Sequence, residues 1–100
     1  MIYLEKDAEV KVDSDGILGR ILASTPSGNF VRMTLQAGAT LAPHPVPMDA
    51  HFFVISGSGR LTLNDETFVV EAGSLVPVPA GALRGWENLG SEPLELFVIK

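Results

Sequence analysis

The stretch GSLVPVPAGALRGWEN, from Gly73 to Asn88, decides how the rest of the chain is read. Two apolar runs, Leu75–Val78 and Leu83–Glu87, flank Pro79-Ala80-Gly81. Pro77 and Pro79 lack amide donors and cannot continue a helix. Gly81 supplies the backbone freedom that a tight turn needs. The stretch therefore predicts strand, turn, strand. Its punctuation is regular: five residues lie between Gly73 and Pro79, one between Pro79 and Gly81, two between Gly81 and Arg84, and three between Arg84 and Asn88.

Outward from this stretch the same rhythm continues. Apolar residues alternate or run for a few positions and are then broken by Gly, Pro, Asn, Asp or Ser. Strands are expected at Ile2–Leu4, Ile17–Ser24, Phe30–Gln36, His51–Ser56, Arg60–Asn64, Thr67–Glu71, Leu75–Val78, Leu83–Glu87 and Leu94–Ile99. Asn64-Asp65-Glu66 and Pro26-Ser27-Gly28-Asn29 read as turns. No segment of helical length carries an apolar stripe of period 3.6. Many short strands imply a sandwich or barrel.

The spacing from Gly73 to Asn88 resembles the second signature of the cupin family, G-x5-P-x-G-x2-H-x3-N, with Arg84 where that family carries a metal-binding histidine. The first signature, G-x5-H-x-H-x3-E-x6-G, can be laid without a gap on Gly38 to Gly57. His44 fits the first histidine, while Val46 and Ala50 stand where the second histidine and the glutamate belong. Two signatures in order, spanning roughly residues 30–99, are a specific match. The resemblance implies an all-β, cupin-like double-stranded β-helix (a jelly-roll barrel). Residues 1–100 would form one domain, with 1–15 as an N-terminal strand or arm.

Composition suits that fold. Hydrophobic residues make up 46% of the 100 residues and charged residues 19%, enough to bury a core. Without cysteine there is neither a disulfide framework nor a thiolate metal site. No signal peptide is seen after Met1, and no apolar run approaches the ~20 residues of a membrane span, so a cytoplasmic protein with no membrane partner is expected. A net charge of −5 disfavours nucleic acid.

Side chains alternate faces along a strand. If the chain is regular from 44 to 54, His44, Val46, Ala50, Phe52 and Val54 share one face, and Arg84, Trp86 and Asn88 share another. The resemblance implies that these faces look into the barrel. The expected ligand-binding set is thus His44, Arg84, Phe52, Val54, Trp86, Val46 and Ala50, an apolar pocket with two directional polar groups. His44, between Pro43 and Pro45, could instead bond a backbone carbonyl. Arg84 must be paired, either with an acid such as Asp49 or Glu87 or with a bound carboxylate or phosphate.

Three of the four ligand positions hold residues that cannot bind a transition metal, so no metal cofactor is expected. The alternative is a metal-dependent cupin enzyme of dioxygenase, isomerase or lyase type, in which His44 works with non-standard ligands. A bulge before His51 could join it to His44 around a divalent metal. Sugar epimerases of the cupin class pair a histidine base with a tyrosine acid, and the sole tyrosine here is Tyr3. No reaction follows from the residues. The expected role is metal-free binding of a small, anionic organic ligand, with a structural or regulatory dimer module as the other reading. A homodimer is expected because Phe53, Ile55, Phe97 and Ile99 would face outward, unless Ile2 and Leu4 fold back over them.

Overall fold

The computed structural model describes residues 1–100. A 3-10 turn, Glu5–Asp7, precedes ten strands: β1 (Glu9–Ser14), β2 (Ile17–Thr25), β3 (Gly28–Leu35), β4 (Thr40–Pro45), β5 (Ala50–Ser56), β6 (Ser58–Leu63), β7 (Glu66–Glu71), β8 (Leu75–Val78), β9 (Leu83–Glu87) and β10 (Leu94–Ile99). They form a six-stranded sheet, β1-β2-β3-β10-β5-β8, facing a four-stranded sheet, β4-β9-β6-β7. Every paired neighbour is antiparallel. This is the all-β double-stranded β-helix that the two spacings imply.

Turn chemistry explains several connections. Asp15 and Gly16 have φ of 54° and 78°, the pair of left-handed residues that a two-residue hairpin favours, and they join β1 to β2. Asn64 (φ 56°) opens the two-residue turn between β6 and β7. In the Gly73–Asn88 stretch, Gly73 and Gly81 sit at φ 88° and 82°, which is why glycine is required there.

The core lies between the sheets. β5 alternates strictly, burying Ala50, Phe52 and Val54 and exposing His51, Phe53 and Ile55. β10 buries Leu94, Leu96 and Val98. Leu35, Leu61 and Trp86 join them in a cluster of 15 buried apolar residues. A Cβ on Gly59 would come within 2.6 Å of Leu94 Cδ2 and 3.1 Å of Trp86 Cε3, so the core is closed tightly over this glycine.

Three expectations change. Ile2–Leu4 is not a strand, because the chain turns at once: Asp7 N–H donates to Leu4 O and Ala8 N–H to Glu5 O, each at 3.0 Å. The N-terminal strand is instead β1, wholly exposed at the sheet edge. The chain is also not one regular strand from 44 to 54. β4 ends at Pro45 and β5 begins at Ala50. β4 is an additional strand; it tolerates Pro43 and Pro45 because it is an edge strand, where missing donors are accepted. Finally, Ile2 and Leu4 do not cover the outer apolar face, being 86% and 51% exposed.

Outside the barrel, the N-terminal turn is clamped to the six-stranded sheet. Arg32 Nε lies 3.0 Å from Glu5 Oε1, and its Nη2 lies 3.1 Å from Glu95 Oε2. Arg20 Nη1 donates to Glu5 O at 3.1 Å. Beyond this polar cluster, Phe30 stacks on Phe97 with centroids 6.4 Å apart. Phe53, Ile55 and Ile99 on that outer face are 38%, 41% and 37% exposed.

Candidate functional site

A cavity of about 50 Å3 opens between the sheets, lined by Val31, Met33, Leu41, His44, Val46, Phe52, Arg84, Val98 and Lys100. Its construction begins on β9. Gly85 faces the backbone of β4 so closely that a Cβ there would stand 2.7 Å from Leu41 O and from Pro43 N. The β4–β9 register shifts at this point, between Leu41 and His44. The bulge rests on the bare glycine and brings His44 opposite Arg84.

Arg84 is 3% exposed. Its Nη1 has no hydrogen-bond partner, and its guanidinium carbon lies 5.8 Å from the Phe52 ring centroid. The expected pairing with Asp49 or Glu87 does not form. Asp49 Oδ1 accepts from Ala80 N–H at 2.9 Å, and Glu87 Oε1 faces Arg60 Nη1 at 3.7 Å across the register that opposes the two residues. Burial lowers the guanidinium's proton affinity below its ordinary range.

Lys100 is a site residue that sequence reasoning missed. Its N–H donates to Asn29 O at 2.9 Å, extending the β10–β3 ladder. The alternation that buries Leu94, Leu96 and Val98 continues to Lys100 and brings it to the cavity. That parity was the available signal. Burial first, then the charges of Lys11 and Arg84, lower its amine below the ordinary lysine range. The cavity is thus lined by two cationic residues and no acidic side chain.

The other expected residues divide. His44, Val46 and Phe52 line the cavity with Arg84. His44 is exposed at the rim, and its Nδ1 lies 3.0 Å from Ala42 O. A carbonyl can only accept, so Nδ1 is the donor of this bond, and Nε2 is the nitrogen left free of it. Ala50, Val54 and Trp86 share the inward face but do not line the cavity. They are 0%, 0% and 1% exposed in the packed core. Trp86 packs behind Phe52 with ring centroids 5.6 Å apart. Tyr3 is 60% exposed in the N-terminal arm and does not meet His44 at the cavity.

The residues present do not fit a metal. Val46 and Ala50 have no donor atom, Arg84 brings a positive charge, and no three His, Cys, Asp or Glu side chains cluster anywhere in the chain. His51 points to the opposite face of β5 from Ala50 and Phe52, with no register shift against β8 to turn it inward.

A β-helix barrel of two antiparallel sheets, with a small cavity at one end, defines the cupin class. Residues 31–100 match the family described as the cupin domain, and the chain belongs to it. It is 38% identical over 65 residues to an uncharacterised protein of Streptomyces coelicolor, covering 65% of this chain and 61% of that one. It is 28% identical over 81 residues to mannose-1-phosphate guanylyltransferase of Klebsiella pneumoniae, a match of 80% of this chain but 17% of that enzyme. Among solved structures, a predicted oxalate decarboxylase of Thermotoga maritima superposes with a TM-score of 0.86 at 19% identity, covering 99% of this chain and 96% of that one. An RmlC-like cupin family protein of Methanocaldococcus jannaschii, with a double-stranded β-helix fold, gives 0.79 at 28% identity, covering 97% and 90%. No helix is long and apolar enough to cross a membrane.

Proposed function

We propose that the protein binds a small organic anion at the mouth of the barrel, without a metal, with Arg84 as the anchor. The observation that carries this reading is the buried, unpaired guanidinium: Nη1 has no partner and no carboxylate lies within ion-pair reach. A buried charge left unpaired costs several kcal/mol, roughly, and a planar guanidinium is shaped to recover this from a carboxylate or phosphate. Lys100, reaching the same cavity from the other sheet, adds a second positive charge.

Cavity size restricts the ligand. About 50 Å3 is room for only a few water molecules. The anionic head enters, and the remainder of the ligand lies at the rim beside His44 and Val46. The guanylyltransferase relatives are named for a phosphorylated sugar, so sugar phosphates belong in the first screen beside short carboxylates.

The test is a thermal-shift screen followed by titration calorimetry on wild type and Arg84→Ala. The ligand that raises the melting temperature should bind the variant more weakly by about 1.5–3 kcal/mol, the range for a hydrogen bond to a charged group. Equal affinity in the variant, or no shift from any anion, would overturn the reading.

A further inference from the structure

Arg84 and Lys100 do different chemistry although both are cations. A guanidinium stays protonated and is a poor nucleophile, whereas an amine beside another cation in an apolar cavity gives up its proton more readily and can then offer its lone pair. Six of the nine residues that line the cavity are apolar: Val31, Met33, Leu41, Val46, Phe52 and Val98. Its backbone is pinned by the Asn29 pair, so the side chain is delivered from a fixed strand end. His44, on the same cavity, engages Ala42 O through Nδ1 and leaves Nε2 free of that bond.

We propose that Lys100 condenses with the carbonyl carbon of a short oxo acid whose carboxylate is held by Arg84, forming an imine. The proposal rests on the anion-binding reading above and adds the ligand's second functional group. Because both residues line one small cavity, the carbonyl stands one or two carbons from the carboxylate. The neutral amine adds to the carbonyl carbon as the C–O π pair moves to oxygen and takes up the amine's proton. The carbinolamine then loses its hydroxyl with the remaining N–H proton as water, leaving the C=N bond. No electron acceptor is needed. His44 Nε2 is the base that can carry these protons across the rim. The lowered proton affinity of Lys100, caused by burial and by the Lys11 and Arg84 charges, agrees with this role.

The full chain is incubated with pyruvate or acetoacetate and reduced with sodium borohydride. The expected result is a covalent adduct with the mass of the oxo acid less one oxygen, mapped by peptide mass spectrometry to Lys100. Lys6, Lys11 and the Met1 amine serve as internal controls. Lys100→Arg should lose the adduct while keeping the thermal shift with the same acid, because the charge remains. Arg84→Ala should reduce adduct formation on the order of tenfold or more, the loss expected of one charged hydrogen bond. An adduct spread evenly over all amines would overturn the proposal. So would a persistent thermal shift with no adduct, which leaves Arg84 as an anion anchor. Neither shift nor adduct with any anion would remove both readings.

Discussion

The guanidinium carbon of Arg84 stands 5.8 Å from the centre of the Phe52 ring, so an aromatic face occupies the place where a counter-ion would be expected. A desolvated cation–π contact is worth about 2 kcal/mol, less than the several kcal/mol that burying an unpaired charge costs. Within the chain, Arg84 is therefore held at a net cost.

Arg84→Met should consequently stabilise the fold while weakening anion binding. The expected gain is about 1–3 kcal/mol, the penalty of an unsatisfied buried polar group. Urea denaturation would show it as a higher midpoint at unchanged slope. A lower midpoint would mean that the guanidinium is satisfied within the protein.

Gly85→Ala should act in the opposite direction. The new methyl would meet Leu41 O and Pro43 N, each at 2.7 Å, and these are backbone atoms that cannot swing aside. Overpacking of this kind costs about 1–3 kcal/mol. It also displaces the bulge that sets His44 opposite Arg84, so binding should weaken with stability. Thermal denaturation with and without ligand measures both effects.

Acid should weaken the clamp on the outer face. Burial alone would raise the Glu95 carboxyl; hydrogen bonds from Thr34 (2.9 Å) and Arg32 (3.1 Å) and the Arg32 charge outweigh it and hold the group below the ordinary carboxylate value. The folded state then binds fewer protons than the unfolded chain. The stabilisation is present above the unfolded value of 4.5 and is lost as pH falls through the lowered folded value. Glu95→Gln should cost up to about 1 kcal/mol at neutral pH for this partly exposed pair, and should flatten the acid limb of stability against pH. An unchanged acid limb in the variant would remove Glu95 from the account.

The outer face carrying Phe53, Ile55, Phe97 and Ile99 is expected to pack against a second copy of the chain. Sedimentation of wild type should give about twice the monomer's 10.7 kDa. Phe53→Glu, which would bury an unpaired charge in that interface, should give the monomer mass. A concentration-independent mass near 10.7 kDa for wild type would exclude the dimer.

Backbone constraints were the most readable part of this sequence. Gly73 and Gly81 need left-handed φ and Pro79 cannot donate, so their spacing records a path of the chain whatever the side chains between them do. Parity was readable too: Arg84, Phe52 and Val54 all face inward as alternation requires. Depth was not. Alternation assigns a face but not whether that face meets a cavity or a packed neighbour, and Trp86, Val54 and Ala50 fell on the packed side. The partners of Arg84 were equally hidden. Glu87 is near Arg84 in sequence and Asp49 is not, yet each is claimed by another group that the strand order brings to it, Arg60 and Ala80 N–H. Lys100 could have been found by carrying the β10 alternation two residues beyond Val98.

Asn88 shows what the opposite end of the barrel is for. Fully buried, its Nδ2 donates to Leu35 O at 3.0 Å and Glu92 O at 2.8 Å, and its Oδ1 accepts from Gly90 N–H at 3.0 Å. Its own backbone bonds Ala39 O and Gly38 N–H. One side chain thereby rivets the exit of β3, the exit of β9 and the approach to β10. With that end locked, Arg84 and Lys100 stand at the other end of β9 and β10, each held by backbone pairing to its neighbouring strand. A ligand at the mouth therefore meets side chains delivered from a fixed frame, and the locked end and most of the core stay undisturbed.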